Sequence, residues 1–371
     1  TLAVRDEPLI DAVAAEAIAK LEAMGPAGDA SRRPAISVLS LVHSLSSLGC
    51  DGDALFEAAS AALRRWAAPR DSQAMGPAPD FVLRGDPPVD SPCVLASRGG
   101  LCVLWKPPRW TVTVDNAEGD EGDIAPEEEE GSEVERADGD GDGARHGRSV
   151  ELWLAHELGE HPITRDAGVS QGILHRLDRE TSGAIFCATD YGSYYAARLR
   201  FASRRVRKEY LLLCHGHLDP TPGRLLQQRL LWGSREDGGF EKTRGVDWGR
   251  PACTEVLEVA HLLCPARRPV SFARVAIHTG RKHQIRAHLS LEGHPLLGDP
   301  TYGGECPPWC PRVFLHSCRL AMVADGAGAD CGLVDVALGL PEDLRGALRA
   351  LGPATGAARA ASVCALADLV F

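Results

Sequence analysis

No window of this 371-residue chain approaches the uninterrupted apolar length of a membrane span, so no membrane-spanning helix is expected in it. A disulfide framework is also missing. The twelve cysteines are scattered, and Cys102, Cys187 and Cys214 sit inside apolar runs where cysteine behaves as a small buried hydrophobe, so an intracellular, reduced compartment is expected. The closest approach to a metal cluster, Cys306, Cys310, His316 and Cys318, lacks the paired C-x-x-C of common zinc sites, and no metal is expected there. An excess of positive charge is absent as well, the formal net charge being −11. Residues 115–148 alone hold fourteen acidic and three basic side chains, a local balance of −11, so the rest of the chain is neutral. The acidity belongs to one segment and does not exclude a polyanionic partner. The first residue is Thr1, so the sequence is read as a fragment or a processed product, and the lack of a leader carries no information on address.

What is present falls into four regions. Residues 1–68 have apolar side chains at helical spacing in three stretches, Leu9 to Leu21, Ile36 to Leu48 and Ala54 to Trp66, with Asp53 placed to cap the third. The second and third form a helical hairpin faintly like the helical RNA-binding repeats of organellar proteins, which leaves plastid and mitochondrion open as locations. Six prolines between 69 and 92 read as a linker. From Cys93 the pattern changes to short apolar strands, Cys93–Ala96 and Leu101–Trp105 around a Gly99-Gly100 turn, and an α+β domain is expected over 93–351. Residues 115–148 are an acidic, low-complexity insertion in it, expected to be disordered, and 352–371 form a tail.

Within the domain one stretch organises the rest. In Gly172-Ile-Leu-His-Arg-Leu-Asp-Arg-Glu-Thr-Ser-Gly183 an apolar approach leads into a polar turn, and Ala184–Ala188 leads away, so strand, loop, strand is expected with Asp178 in the loop. Arg176 and Arg179 beside it favour an ionised carboxylate. A second block, Thr279-Gly-Arg-Lys-His-Gln-Ile-Arg-Ala-His-Leu289, closes a strand and starts a helix near Lys282, with Ile285 and Leu289 one turn apart and Gly293 as its stop. Between the two, Arg198, Arg200, Arg204, Arg205, Arg207 and Lys208 put six basic residues in eleven positions, a strip suited to a phosphate backbone.

The first block resembles, at every fixed position, the signature of the RluA family of RNA pseudouridine synthases, His-Arg-Leu-Asp-x-x-Thr-Ser-Gly. The second resembles that family's Thr-Gly-Arg-x-His-Gln-Ile/Leu-Arg-x-His-Leu. Lys106-Pro107, Lys208-Glu209-Tyr210, Gly298-Asp299-Pro300-Thr301-Tyr302-Gly303, Phe314–Leu320 and Leu340–Leu344 resemble further elements of it, in order. After the Lys-Pro element the family usually has a Gly, where this chain has Arg109 and Trp110. The resemblance implies a pseudouridine synthase fold, a mixed and largely antiparallel sheet with flanking helices, and conversion of uridine to pseudouridine in RNA without a cofactor. It implies that Asp178 is the catalytic residue, that Tyr210 stacks on the base and that Arg286 pairs with Asp178. Arg176, Arg204, Arg205, Arg207, Lys208, Arg281 and His283 are the expected RNA contacts, and the protein is expected to be a monomer with RNA as its partner. The rival from another class is a non-catalytic RNA-binding protein, but all the implied catalytic positions are filled. A zinc-dependent deaminase would need a His-x-Glu and Pro-Cys-x-x-Cys pair that the chain lacks.

Overall fold

The computed structural model describes residues 7–24, 33–50, 52–71, 80–83, 85–113, 148–233, 242–322 and 334–353. The expected acidic insertion, except Arg148, and the expected tail beyond residue 353 lie outside these.

Three helices come first: α1 (Glu7–Ala23), α2 (Arg33–Ser47) and α3 (Asp53–Asp71). Pro69 does not end α3 as the linker reading expected. The helix continues to Asp71, whose carboxylate accepts the backbone N–H groups of Tyr191 and Gly192, and this tertiary contact outweighs the lost helical bond. These residues open a later helix, α5 (Tyr191–Ala202), so the end of α3 helps to cap it.

The sheet is built from β1 (Phe81–Val82), β2 (Cys93–Arg98), β3 (Leu101–Lys106), β4 (Ser182–Ala188), β5 (Val206–His215), β6 (Arg224–Leu226), β9 (Thr254–Leu263), β10 (Pro269–Ile277), β11 (Leu315–Met322), β12 (Val334–Ala337) and β13 (Gly352–Pro353). Its order is β1-β2-β3-β4-β11-β5-β10-β9-β13, with β12 added to β11 and β6 to β9, while β7 (Leu230–Gly233) and β8 (Lys242–Gly245) form a separate hairpin. The β4–β11 pair is parallel and the other pairs are antiparallel, a mixed sheet as expected. Part of the presumed linker is therefore sheet: β1 pairs with β2, and the indoles of Trp105 and Trp110 donate to the carbonyls of Pro88 and Asp90.

Side chains alternate between the two faces, as the two-residue period of strands requires. On one face Leu101, Val103, Trp105, Ala184 and Phe186 join a cluster that includes α1–α3 and the helix α5 (Tyr191–Ala202). The N-terminal helices thus share a core with the sheet. Farther along, Leu211, Leu213 and Phe272 pack with Leu344 and Ala347 of α7 (Glu342–Arg349). On the other face Cys102, Leu104, Ile185, Cys187, Tyr210 and Leu212 pack against α4 (Val150–Glu157) and α6 (Gln284–Leu291). Ser149 caps α4 by accepting the Leu152 N–H, and Asp190 caps α5 by accepting that of Ser193.

One row of the sheet fixes the functional geometry. Lys106 of β3 pairs with Gly183 of β4, Gly183 with Ser317 of β11, and Ser317 with Tyr210 of β5. The turn before β4 and the side chain of Tyr210 are thereby held on either side of β11. Gly183 has φ 135°, and a Cβ there would lie 2.4 Å from the Ser317 carbonyl oxygen, so only glycine permits this parallel approach.

Candidate active site

Asp178 lies in the turn before β4, as the sequence indicated, but the approach is not a strand. Residues Ala167–Gly172 form a 3-10 segment, and Ile173 makes only an isolated bridge to Cys187. The ladder is interrupted because the His175 Nε2 accepts the Phe186 N–H (3.0 Å) in place of a backbone carbonyl. Burial pushes the His175 imidazole down to about 3, which keeps that nitrogen free to accept.

The turn is clamped from behind. Lys106, fully buried, donates through Nζ to the carbonyls of Pro107 (2.9 Å), Arg179 (3.0 Å) and Thr181 (2.7 Å). Burial, aided by nearby Arg312, pulls its ammonium down to about 7. Arg312 donates to the Glu180 carbonyl and to Ser182 Oγ (both 2.9 Å) and is held by Asp343 (2.6 Å). Arg109 N–H donates to the Arg179 carbonyl (2.8 Å), and its φ of 68° is the left-handed conformation that a glycine would adopt freely. The substitution of the family's usual glycine is thus accommodated in a glycine-like backbone. A larger cavity of about 460 Å³ lies beyond Arg312, walled by Trp105 and residues 85–90. Arg312 and Arg345 in its wall are already paired, with Asp343 and Glu342.

Arg286 reaches Asp178 from α6. This helix begins at Gln284, close to the expected start near Lys282, and the Gln284 side chain accepts the Arg281 N–H (3.1 Å) to close the turn before it, with His283 at φ 56°. The Gln284 amide also donates to the Cys253 carbonyl and Thr254 Oγ1, which bolts the turn to β9. Gly293 ends the helix as expected, at φ 80°. Arg286 Nε and Nη2 make a forked pair with fully buried Asp299 (2.7 and 2.8 Å), and Nη1 is 3.4 Å from Asp178 Oδ2. Its guanidinium lies 4.9 Å from the Tyr302 ring centroid. Burial opposes the charge on Arg286, but the bonds to Asp299 and the charge of Asp178 outweigh it and raise its pKa.

Asp178 keeps 20 % of its side chain exposed and faces His283, whose Nε2 is 3.7 Å from Oδ1. The Thr243 N–H donates to the Tyr302 hydroxyl oxygen (2.8 Å), leaving the Tyr302 O–H to donate to His283 Nδ1 (3.1 Å). A neutral His283 then carries its proton on Nε2, toward Asp178. Burial pushes His283 down to about 4, so near neutral pH it is uncharged. Burial likewise opposes the charge on Asp178, but His283, Arg286 and Arg176 outweigh it and its pKa is lowered. Since His283 is neutral at that pH, Arg286 and Arg176 are the standing cations. An ionised carboxylate with a fixed cation on one oxygen can act on an electron-poor carbon or on a proton.

Of the sequence-predicted site residues, Arg176, Asp178, Tyr210, Arg281, His283 and Arg286 line one pocket, closed at its apolar edge by Ile277 and Leu315. Arg204, Arg205, Arg207 and Lys208 are not part of it. Arg205 pairs with Asp53 (3.1 Å) and lies 4.3 Å from the Phe56 ring centroid, and Arg204 reaches Ser47. Arg207 pairs with Glu209, and Lys208 is buried with its ammonium 5.4 Å from the Phe201 ring centroid. Arg204 and Arg205 thus contact the N-terminal helices, while Arg207 and Lys208 are engaged beside α5 and β5. Asp299, Tyr302, Lys106 and Arg312 were not named as site residues; the Gly-Asp-x-x-Tyr-Gly and Lys-Pro elements were the signals that carried the first three.

The family model described as RNA pseudouridylate synthase matches residues 156–291. The RNA pseudouridylate synthase domain-containing protein 1 of Mus musculus is 38 % identical over 176 residues, covering 45 % of this chain and 56 % of that protein. An uncharacterized RNA pseudouridine synthase of Mycobacterium bovis is 32 % identical over 193 residues, 49 % of this chain and 56 % of that protein. The chain thus spans little more than half the length of these relatives. The solved structure of human RNA Pseudouridylate Synthase Domain Containing 1 superposes with a TM-score of 0.49 at 21 % identity, covering 76 % of this chain and 97 % of that one. Residues 156–291, the stretch that matches the RNA pseudouridylate synthase family model, hold Asp178, Tyr210, Arg286 and the elements carrying them.

Proposed function

We propose that the protein is an RNA pseudouridine synthase of the RluA type, acting on uridine in structured RNA with Asp178 as the catalytic residue. The observation that carries this reading is the single pocket in which Asp178, partly open to solvent and beside Arg286, shares the wall with Tyr210. The reaction breaks the N1–C1′ bond of uridine, turns the base and joins C5 to C1′. It needs an anion beside the sugar and base, a surface that retains the detached uracil, and a way to extract the nucleotide from a helix. Asp178 supplies the anion, and Arg286, locked by Asp299, fixes its direction. Tyr210 gives the base a ring to stack on and a hydroxyl for the C5 proton. Arg176 and Arg281 line the same pocket; in this reading Arg176 fills the space left by the flipped base and Arg281 contacts a phosphate.

The isomerisation changes no oxidation state and transfers no phosphate, so these side chains account for it without a cofactor. RNA is the partner in this reading. No helix among the described residues is long and apolar enough to cross a membrane. The deciding experiment is tritium release from RNA labelled at C5 of uridine: a synthase releases tritium, and a protein that only binds RNA releases none. Mapping pseudouridine in cells lacking the gene then names the RNA.

A further inference from the structure

The hairpin β7–β8 brings one aromatic side chain to the edge of the pocket that neither the motifs nor the proposed reaction uses. Trp232 stands opposite Thr243 in the hairpin. Thr243 is buried and fastened twice to the site, through its N–H to Tyr302 and through its Oγ1 to the Lys282 carbonyl (2.6 Å). Trp232 is therefore held at a fixed place on the rim. Its ring meets His283 edge-on, with centroids 5.2 Å apart at 86°, and His283 in turn touches Asp178. One imidazole thus separates the indole from the carboxylate. The indole is half-exposed, and the Lys282 ammonium rests on its face, 3.3 Å from the centroid.

Resting on the synthase reading above, we propose that Trp232 is the stacking platform for the base adjoining the target uridine, and that Lys282 holds that face until RNA arrives. An indole face covered by a lysine ammonium is an exchangeable surface. A base can take the face while the ammonium moves to the phosphate that the same nucleotide brings, so neither group loses its partner. Tyr210 then stacks on the reacting base and Trp232 on its neighbour, which gives the enzyme a contact with the strand beyond the flipped nucleotide.

The test uses the full chain and two probes: RNA labelled with 5-tritiated uridine for turnover, and octauridine carrying one 2-aminopurine on either side of a central uridine for binding. Base–aromatic stacking strength predicts that Trp232→Ala weakens octauridine binding by roughly 5- to 150-fold. The loss should fall on KM more than on kcat, and quenching of the 2-aminopurine on binding should disappear. Trp232→Phe, which keeps a ring and the hairpin packing, should restore most of the affinity and the quenching. Replacing the flanking base by an abasic site should cost the wild type what it costs the alanine variant nothing to lose. Equal KM, affinity and quenching in Trp232→Ala and wild type would overturn the platform while leaving the synthase reading intact. Absence of tritium release from the wild type would overturn both.

Discussion

Replacing Arg286 by Lys probes the link between the fold and the proposed chemistry, because it keeps the charge and removes the fork. Arg286 spends two short bonds on Asp299 and directs the remaining nitrogen to Asp178 at 3.4 Å. One ammonium cannot hold both carboxylates in that geometry. A hydrogen bond to a charged group contributes about 1.5–3 kcal/mol, so losing one arm of the buried pair should lower stability by about 2 kcal/mol. Asp178 also has its cation drawn back toward Asp299: the pair at 3.4 Å is an interaction of about 5 kcal/mol at an effective dielectric constant near 20, and losing roughly 3 kcal/mol of it predicts a fall in kcat on the order of 10²-fold. The pH dependence has a definite sign. The folded-state pKa of Asp178 is lowered, so its ionised form, and any activity that needs it, is complete at neutral pH and is lost only as pH falls through that lowered value. In the lysine variant burial, which opposes the charge, is no longer fully offset, and the acid limb of kcat/KM must move to higher pH. Tritium release measured across the acid range, with thermal unfolding as control, reads both effects. An Arg286→Lys enzyme with wild-type kcat and an unmoved acid limb would refute the reasoning.

Further outcomes follow from the same geometry. Gly183→Ala forces a Cβ to 2.4 Å from the Ser317 oxygen at φ 135°, and should lower stability by about 2–4 kcal/mol in a denaturant titration. Lys106→Met keeps the aliphatic stem but leaves three carbonyls around the Asp178 turn without their donor, a loss of about 3 kcal/mol or more, visible in the same titration. Arg281→Ala should reduce the slope of log affinity against log salt for RNA by about 1, whereas Arg205→Ala, whose side chain is committed to Asp53 and Phe56, should leave that slope unchanged.

Much of the site was legible because its residues lie in two ordered blocks, and the strands β2 and β3 were legible from their apolar runs. The parts that were not share one cause, dependence on what lies opposite. Arginines 204 and 205 follow a helix end, where the pattern of a phosphate-binding strip and that of a strip covering neighbouring helices are identical; the identity of the facing surface decides, and here it is Asp53, Phe56 and Ser47. Pro69 reads as a helix stop until Asp71 is seen to accept from Tyr191 and Gly192, 120 and 121 residues away. The approach to Asp178 has strand-like composition, yet a histidine side chain takes the place of the ladder. Asp299 was visible as a motif position, but its forked hold on Arg286 depends on how α6 crosses the sheet face.

The most direct test of the central claim is Asp178→Asn, assayed for tritium release from 5-tritiated uridine RNA and, in parallel, for RNA binding at low salt. The asparagine is nearly isosteric and removes only the negative charge beside Arg286 and His283. The account predicts that release is abolished while RNA is still bound. Release at the wild-type rate from the Asp178→Asn protein would contradict it.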